Sequence, residues 1–269
     1  MYSHSRHILR RRRPRGFTMI ELLVVISIIT LLIGILLPAL RSARAAARTV
    51  QGLAHQSQVG RAVSSYTTDH AGTFPTGWRQ DDHPAFRDDD TNWVWIISDH
   101  LAGTGSTRGT RTAGSTNPIF RDPNAALDGG SVHYSGHPVI FVDVTRTSLP
   151  HYRVEQVARG SEVVLVMDAS QVPPANNASA TAVGIDDCGL WGGDCGLVAL
   201  SLDPHYYDPD EDDNDEAIDP GPDEDGTAGA AQIRWRQSRG EAANLLFADG
   251  HAATRGRSEV RKKHIRPDP

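Results

Sequence analysis

Little in this chain points toward catalysis. Its 269 residues include only two cysteines, Cys188 and Cys195, so the repeated paired-cysteine pattern of a zinc module is excluded. There is no Gly-x-Ser-x-Gly nucleophile elbow, no glycine-rich phosphate loop and no evident internal repeat, which removes the usual sequence signs of an esterase, a nucleotide-hydrolysing enzyme or a solenoid. His133 and His137 have a metal-like spacing, but Gly136 and Pro138 oppose a helix there. On a strand the two histidines would stand about 13 Å apart, so zinc is not expected. Asp168 ends an apolar run, where an aspartate that starts a turn is commoner than a catalytic acid. The chain reads as non-enzymatic.

Positive charge is scarce beyond the first sixteen residues. The formal net charge is -6, while the stretch ending at Gly16 holds six arginines (Arg6, Arg10, Arg11, Arg12, Arg13 and Arg15) and no acid. Setting those six charges aside leaves -12 on the remainder, so nucleic acid is not an expected partner. Acid is scarce in a different place. From Phe17 to Leu40 the only ionisable side chain is Glu21, in a stretch otherwise dominated by leucine, isoleucine and valine. Those 24 residues make roughly 36 Å of helix at ~1.5 Å per residue, enough for a hydrocarbon core of ~30 Å. The arginine excess before the span, against Arg41, Arg44 and Arg48 after it, orients the N-terminus toward the cytoplasm and the body outward. A secretory signal is the competing reading, but its cut follows the apolar region, whereas the Gly16-Phe17 junction precedes it.

A carboxylate within such a span costs on the order of 2.5 kcal/mol or more unless a cation lies close. Cleavage after Gly16 would create an α-amino group on Phe17, about one helical turn before Glu21, and across two packed subunits that pairing would also set register. The basic leader, Gly16, Phe17, Thr18 and Glu21 together resemble the processing site of the type IV pilin and type II secretion pseudopilin superfamily, and Pro38 falls where many members carry a kinking proline. The resemblance implies a prepilin peptidase that cuts after Gly16 and methylates Phe17. It also implies assembly with identical and related pilin or pseudopilin subunits, and a bacterial inner-membrane, single-pass topology with a periplasmic or filament-borne head. Gly34, one turn before Pro38, marks a place for bending or local melting.

The expected fold is α+β and pilin-like, with a long N-terminal helix and a C-terminal antiparallel sheet. Its parts are a leader (1–16), a transmembrane helix (17–40), an exported continuation (41–68) and a head (69–269). The continuation carries a mildly apolar stripe through Ala43, Ala46/Ala47, Val50, Leu53, Ala54, Val59, Ala62/Val63 and Tyr66, and stops near Thr68, before Gly72 and Pro75. The run from Tyr66 to Pro75 again looks like a pseudopilin helix exit. Residues 92–101 fit a short helix capped by Asn92, while their composition also fits a strand; the helix is the favoured reading. Strands are expected at Val139 to Val144 and Val163 to Met167, a helical turn at Val154 to Ala158, and loops at Gly103 to Asn117 and Pro173 to Asp187.

Three features of the head bear on ligands. An exported chain sees an oxidising compartment, so Cys188 and Cys195 are read as a disulfide, with two free thiols or metal binding as alternatives. From Asp203 to Asp225 there are twelve acids; the segment is a solvated loop or an irregular calcium loop. Asp208, Asp210 and Asp212 alternate like calcium ligands, although Asp213 and Asp219 break an EF-hand pattern. Ala243 to Arg255 is the clearest hairpin, with Asp249-Gly250 at a turn that needs positive φ. It resembles a C-terminal module of pseudopilin-like proteins, known from a histidine, nine residues, then Asp-Gly, except that Arg239 stands where that histidine belongs. The basic tail Arg255 to Lys263 is expected to fray, or to fold back on the acidic loop. The reading is a filament subunit; a membrane-tethered binding or hydrolytic domain on a pilin-type anchor is the alternative.

Overall fold

The computed structural model describes residues 17–79, 91–102, 117–127, 129–130, 132–137, 139–142, 151–171, 214–218, 223–226 and 233–267. Gly16, Cys188, Cys195, Asp208, Asp210 and Asp212 lie outside them, as do the expected loop at 173–187 and residues 103–116 of the loop before Asn117. The chain divides into two compact units, Met1–Arg44 and Ala45–Pro269.

Helix α1, Met19–Asp69, begins in the first unit and ends in the second. Its first part has an eighteen-residue window of mean hydropathy 2.9 with none of it buried, and leucines, isoleucines and valines from Leu22 to Leu40 are all exposed. Length and composition suit a membrane span. Pro38 sits inside the helix, which runs unbroken through Gly34 and Pro38, so the expected local melting is not found there.

In the second unit α1 buries Gly52, Gln56, Val59, Gly60, Ala62, Val63 and Thr67. The stripe expected from sequence is corrected at its start, because Val50 is 64 % exposed and Ala54 is exposed as well. Close backbone approach, rather than apolar bulk, selects the buried face: a Cβ on Gly60 would lie 2.8 Å from Leu246 Cδ1 and 3.1 Å from the Gly250 carbonyl oxygen. The helix stops one residue past the expected place. Ala71 and Gly72 take φ of +53° and +79°, and the Gly72 N–H donates back to Thr67 O at 2.7 Å, which closes the last turn.

Two short strands, β1 (Trp78–Arg79) and β2 (Thr91–Asn92), pair antiparallel. Helix α2, Trp93–Ala102, follows, with the Trp95 N–H donating to Asn92 Oδ1 at 3.2 Å as the expected cap. The main sheet has four antiparallel strands in the order β3 (Tyr134–Gly136), β4 (Val164–Asp168), β5 (Ala242–Phe247) and β6 (Ala252–Gly256). Side-chain alternation divides the core into two clusters. Leu246 joins Val59, Val63, Trp93 and Phe141 in the cluster that includes α1, while Ala243, Leu245 and Phe247 join Trp235, Val260 and Ile265 in the other. An irregularity between Val164 and Val166 brings Leu165 and Val166 into the same cluster.

Two expectations are corrected. The strand over Val139 to Val144 is replaced, across the described residues 139–142, by a buried turn. The N–H groups of Val139 and Ile140 both donate to His137 Nδ1 at 3.2 Å, and that of Phe141 to His137 O at 2.9 Å. The local histidine thus takes donors that a sheet partner would need. Phe141 is held by packing instead, stacked on Trp93 with centroids 4.9 Å apart. The tail does not fray but takes the other course expected of it, folding back on residues 214–216 of the acidic segment. After β6 it forms short 3-10 turns at Arg257–Glu259 and Lys262–His264, with Val260 and Ile265 buried. Arg159 donates to Lys263 O and, at 2.7 Å, to Arg266 O, and the Lys262 and Lys263 N–H groups donate to Glu216 O and Asn214 O. Two buried apolar anchors and these carbonyl contacts outweigh the self-repulsion of a basic tail.

Candidate functional site

The N-terminal unit presents Phe17, 70 % exposed, immediately before a helix start. Thr18 N–H and Thr18 Oγ1 both donate to Glu21 Oε2, at 2.9 and 2.8 Å, and the Glu21 N–H donates to Thr18 Oγ1 at 3.3 Å. This reciprocal capping box satisfies helix donors that would otherwise stand unpaired, and places a carboxylate at the positive end of the helix dipole. Glu21 is therefore held within its own chain. The sequence contained the signal, a threonine followed three residues later by a glutamate ahead of an apolar run, but Thr18 was read only as part of the processing motif.

The second constellation lies where α1 meets the sheet in the head unit. Asp168, at the end of β4, is fully buried. Its Oδ1 accepts from Gln56 Nε2 of α1 at 3.0 Å, and its Oδ2 accepts from Gln237 Nε2 and the Asn244 N–H, each at 2.9 Å. Gln56 Nε2 also donates to Asn244 O at 2.9 Å. Asp122, whose side chain is fully inaccessible, accepts from Arg236 at 3.1 Å and from Gln237 Nε2 at 3.4 Å. Burial, reinforced by the neighbouring Asp122 charge, pushes the Asp168 carboxyl up to about 8. Asp225 is held below the usual carboxylate range: burial opposes this, but Arg236, the Gln171 N–H and Arg234 prevail.

The other singled-out residues are not brought into one site. His133 takes the Asp122 N–H on Nδ1 at 3.1 Å and faces Gly129 O with Nε2 at 3.2 Å, and burial lowers its pKa. His137 uses Nδ1 for backbone donors and Nε2 toward Ile265 O at 2.9 Å. Both rings are thus engaged with backbone, and no metal-binding cluster of three such groups occurs among the described residues. Asp249 and Gly250 form the turn between β5 and β6, with Gly250 at φ +92° and Asp249 Oδ1 accepting from the His251 N–H at 3.0 Å. Arg239 lies in the left-handed turn Ser238-Arg239-Gly240, ahead of β5.

Calcium ligation by Asp208, Asp210 and Asp212 falls outside the described residues. Several other acids of the 203–225 segment meet the chain's own cations. Asp215 pairs with Lys263 at 2.6 Å and Glu216 with Lys262 at 3.1 Å. Asp223 pairs with Arg234 at 2.6 Å and with Arg257, and Asp225 pairs with Arg234 and Arg236 at 3.1 and 2.9 Å. Sequence reasoning weighed water, a metal ion or the folded-back basic tail for these charges; Arg257, Lys262 and Lys263 belong to that tail, while Arg234 and Arg236, ahead of the hairpin, were missed.

Residues 11–37 match the family described as the prokaryotic N-terminal methylation motif. The searches of curated proteins and of solved structures returned no match.

Proposed function

Because a chain with this methylation motif and a long apolar N-terminal helix fits the type IV pilin-like superfamily, as a pilin- or pseudopilin-type subunit processed by prepilin peptidase, we propose that it acts as a structural subunit of a filament and not as an enzyme. The mature subunit begins at Phe17 and is anchored in the inner membrane by the first part of α1. It enters a type II secretion or type IV pilus-like assembly when its Phe17 amine meets the Glu21 of a neighbour. The head stands on the far side of the membrane.

The observation that carries this reading is the joining of the motif to the exposed apolar first part of α1, whose one acid, Glu21, sits in the first turn. An exposed surface of leucine and isoleucine is stable in lipid or against identical helices. A carboxylate there is best explained by a cation delivered at the same depth. Mass spectrometry of the protein from membranes should find a mature chain starting at methylated Phe17, and Gly16→Val should leave the leader attached. A mature terminus elsewhere would overturn the assignment. Turnover by the head without any filament peptide in the sheared fraction would favour the tethered-domain alternative.

A further inference from the structure

The seam between α1 and the sheet holds more buried negative charge than its cations balance. Asp122, Asp168 and Asp225 have side chains at most 5 % exposed, and among the described residues the only guanidinium as deeply buried beside them is that of Arg236. Arg234 is partly exposed and is shared with Asp223. Elsewhere around the pair, the facing groups among the described residues carry no compensating charge. α1 supplies the amide of Gln56, β5 supplies Asn244, and the turn before β5 supplies Gln237. Tyr134 of β3 donates to Arg121 O, and His133 accepts the Asp122 N–H, so neither offers a cation. Among the described residues, three buried carboxylates against one equally buried guanidinium, with Arg234 divided between Asp225 and Asp223, is a costly arrangement unless one carboxylate is protonated.

Gln237 draws the two carboxylates together. Its single Nε2 bridges Asp168 Oδ2 at 2.9 Å and Asp122 Oδ2 at 3.4 Å, which brings one oxygen of each carboxylate to a common donor. Gln56 Oε1 is buried with no donor. A half-turn of the Gln56 amide would put Oε1 where Nε2 now stands, 3.0 Å from Asp168 Oδ1. It would then accept a hydrogen bond from the protonated Asp168 carboxyl, while losing the bond to Asn244 O and facing that carbonyl at 2.9 Å without a hydrogen between them. The same side chain can therefore serve either charge state of Asp168.

We propose that Asp168 keeps a carboxyl proton beside Asp122, which makes the contact between α1 and the sheet a proton-dependent latch. With the proton present the seam is closed. When it passes to solvent, two adjacent buried carboxylates repel each other, and the part of α1 that carries Gln56 loosens from β4 and β5.

The direction with pH follows from the folded state holding this proton more tightly than the unfolded chain. Burial beside Asp122 raises Asp168 from 3.8 to about 8. The stabilisation is fully present below about pH 4 and is lost progressively as pH rises toward 8, favouring opening by up to about tenfold per pH unit. The full-length protein in detergent micelles provides the test. Infrared difference spectra should show a buried protonated carboxyl at about pH 6 that vanishes by about pH 9. The same band should be absent or shifted in Asp168→Asn or in Asp122→Asn. Hydrogen exchange at the Asn244 amide, corrected for its intrinsic pH dependence, should accelerate over the same interval. A wild-type protein without the band at about pH 6, or a band unchanged in both variants, overturns the proposal. If neither variant folds, the wild-type titration decides: loss of the band in step with faster Asn244 exchange supports the latch, and loss without any change in exchange overturns it.

Discussion

Two glycines act through their small size and one threonine through its hydroxyl. Gly60 lets α1 approach Leu246 and the Gly250 backbone, and Gly60→Ala sets two effects against each other. A helix gains about 1 kcal/mol from alanine, while a Cβ 2.8 Å from Leu246 Cδ1 and 3.1 Å from Gly250 O overpacks the seam at about 1–3 kcal/mol. Backbone cannot yield as a long side chain can, so the variant should lose about 1 kcal/mol net, read as a lower denaturant midpoint for the full chain. Gly136 is tighter still, since any Cβ there would strike Phe141 and Trp93. Thr18 contributes through its hydroxyl. Thr18→Val removes two of the three capping contacts to Glu21 and should weaken the helix start by about 1 kcal/mol while leaving the charge in place. Glu21→Ala removes both cap and charge. Assembly, scored as subunit recovered in sheared filaments, should fall further in Glu21→Ala than in Thr18→Val. Equal recovery of both with wild type would refute the pairing of Glu21 with a neighbour's amine.

Among the elements, those with strong local causes were legible in sequence. The apolar run gave α1, Ala71-Gly72 ended it, Asn92 capped α2, and Asp249-Gly250 closed the hairpin. The failures have two causes: a side chain close in sequence in one case, and partners distant in sequence in the others. Val139 to Phe141 look like strand because they are apolar, but His137 captures their donors locally. The tail looks like a frayed basic end, but Arg159, about a hundred residues earlier, holds two of its carbonyls. Asp168 was visible as an acid after a strand, while its donors come from positions 56, 237 and 244, and no spacing rule joins those. The strap after β6 is open to direct test. Arg159→Ala should cost about 2 kcal/mol, because charge-assisted hydrogen bonds to Lys263 O and Arg266 O are lost together. Trypsin should then cut after Lys262 or Lys263 several-fold faster than in wild type, while cleavage at the same rate would show that Val260 and Ile265 hold the strap unaided.

For the whole molecule, the head's attachment to α1 is not a greasy contact alone. One turn to either side of Gln56, on the same buried face, stand Gly52 and Gly60. A slide of α1 by one turn, about 5.4 Å, would bring a glycine opposite Asp168 in either direction and leave that buried carboxylate without its side-chain donor from the helix. Intermediate positions would drive Leu246 or Asn244 into the helix backbone. The fit is keyed: the helix has one seat on the sheet, with no neighbouring seat of similar energy. A load applied along α1 in this unit would be resisted without creep until the key shears, so the mechanical response should be a single abrupt rupture rather than gradual slippage.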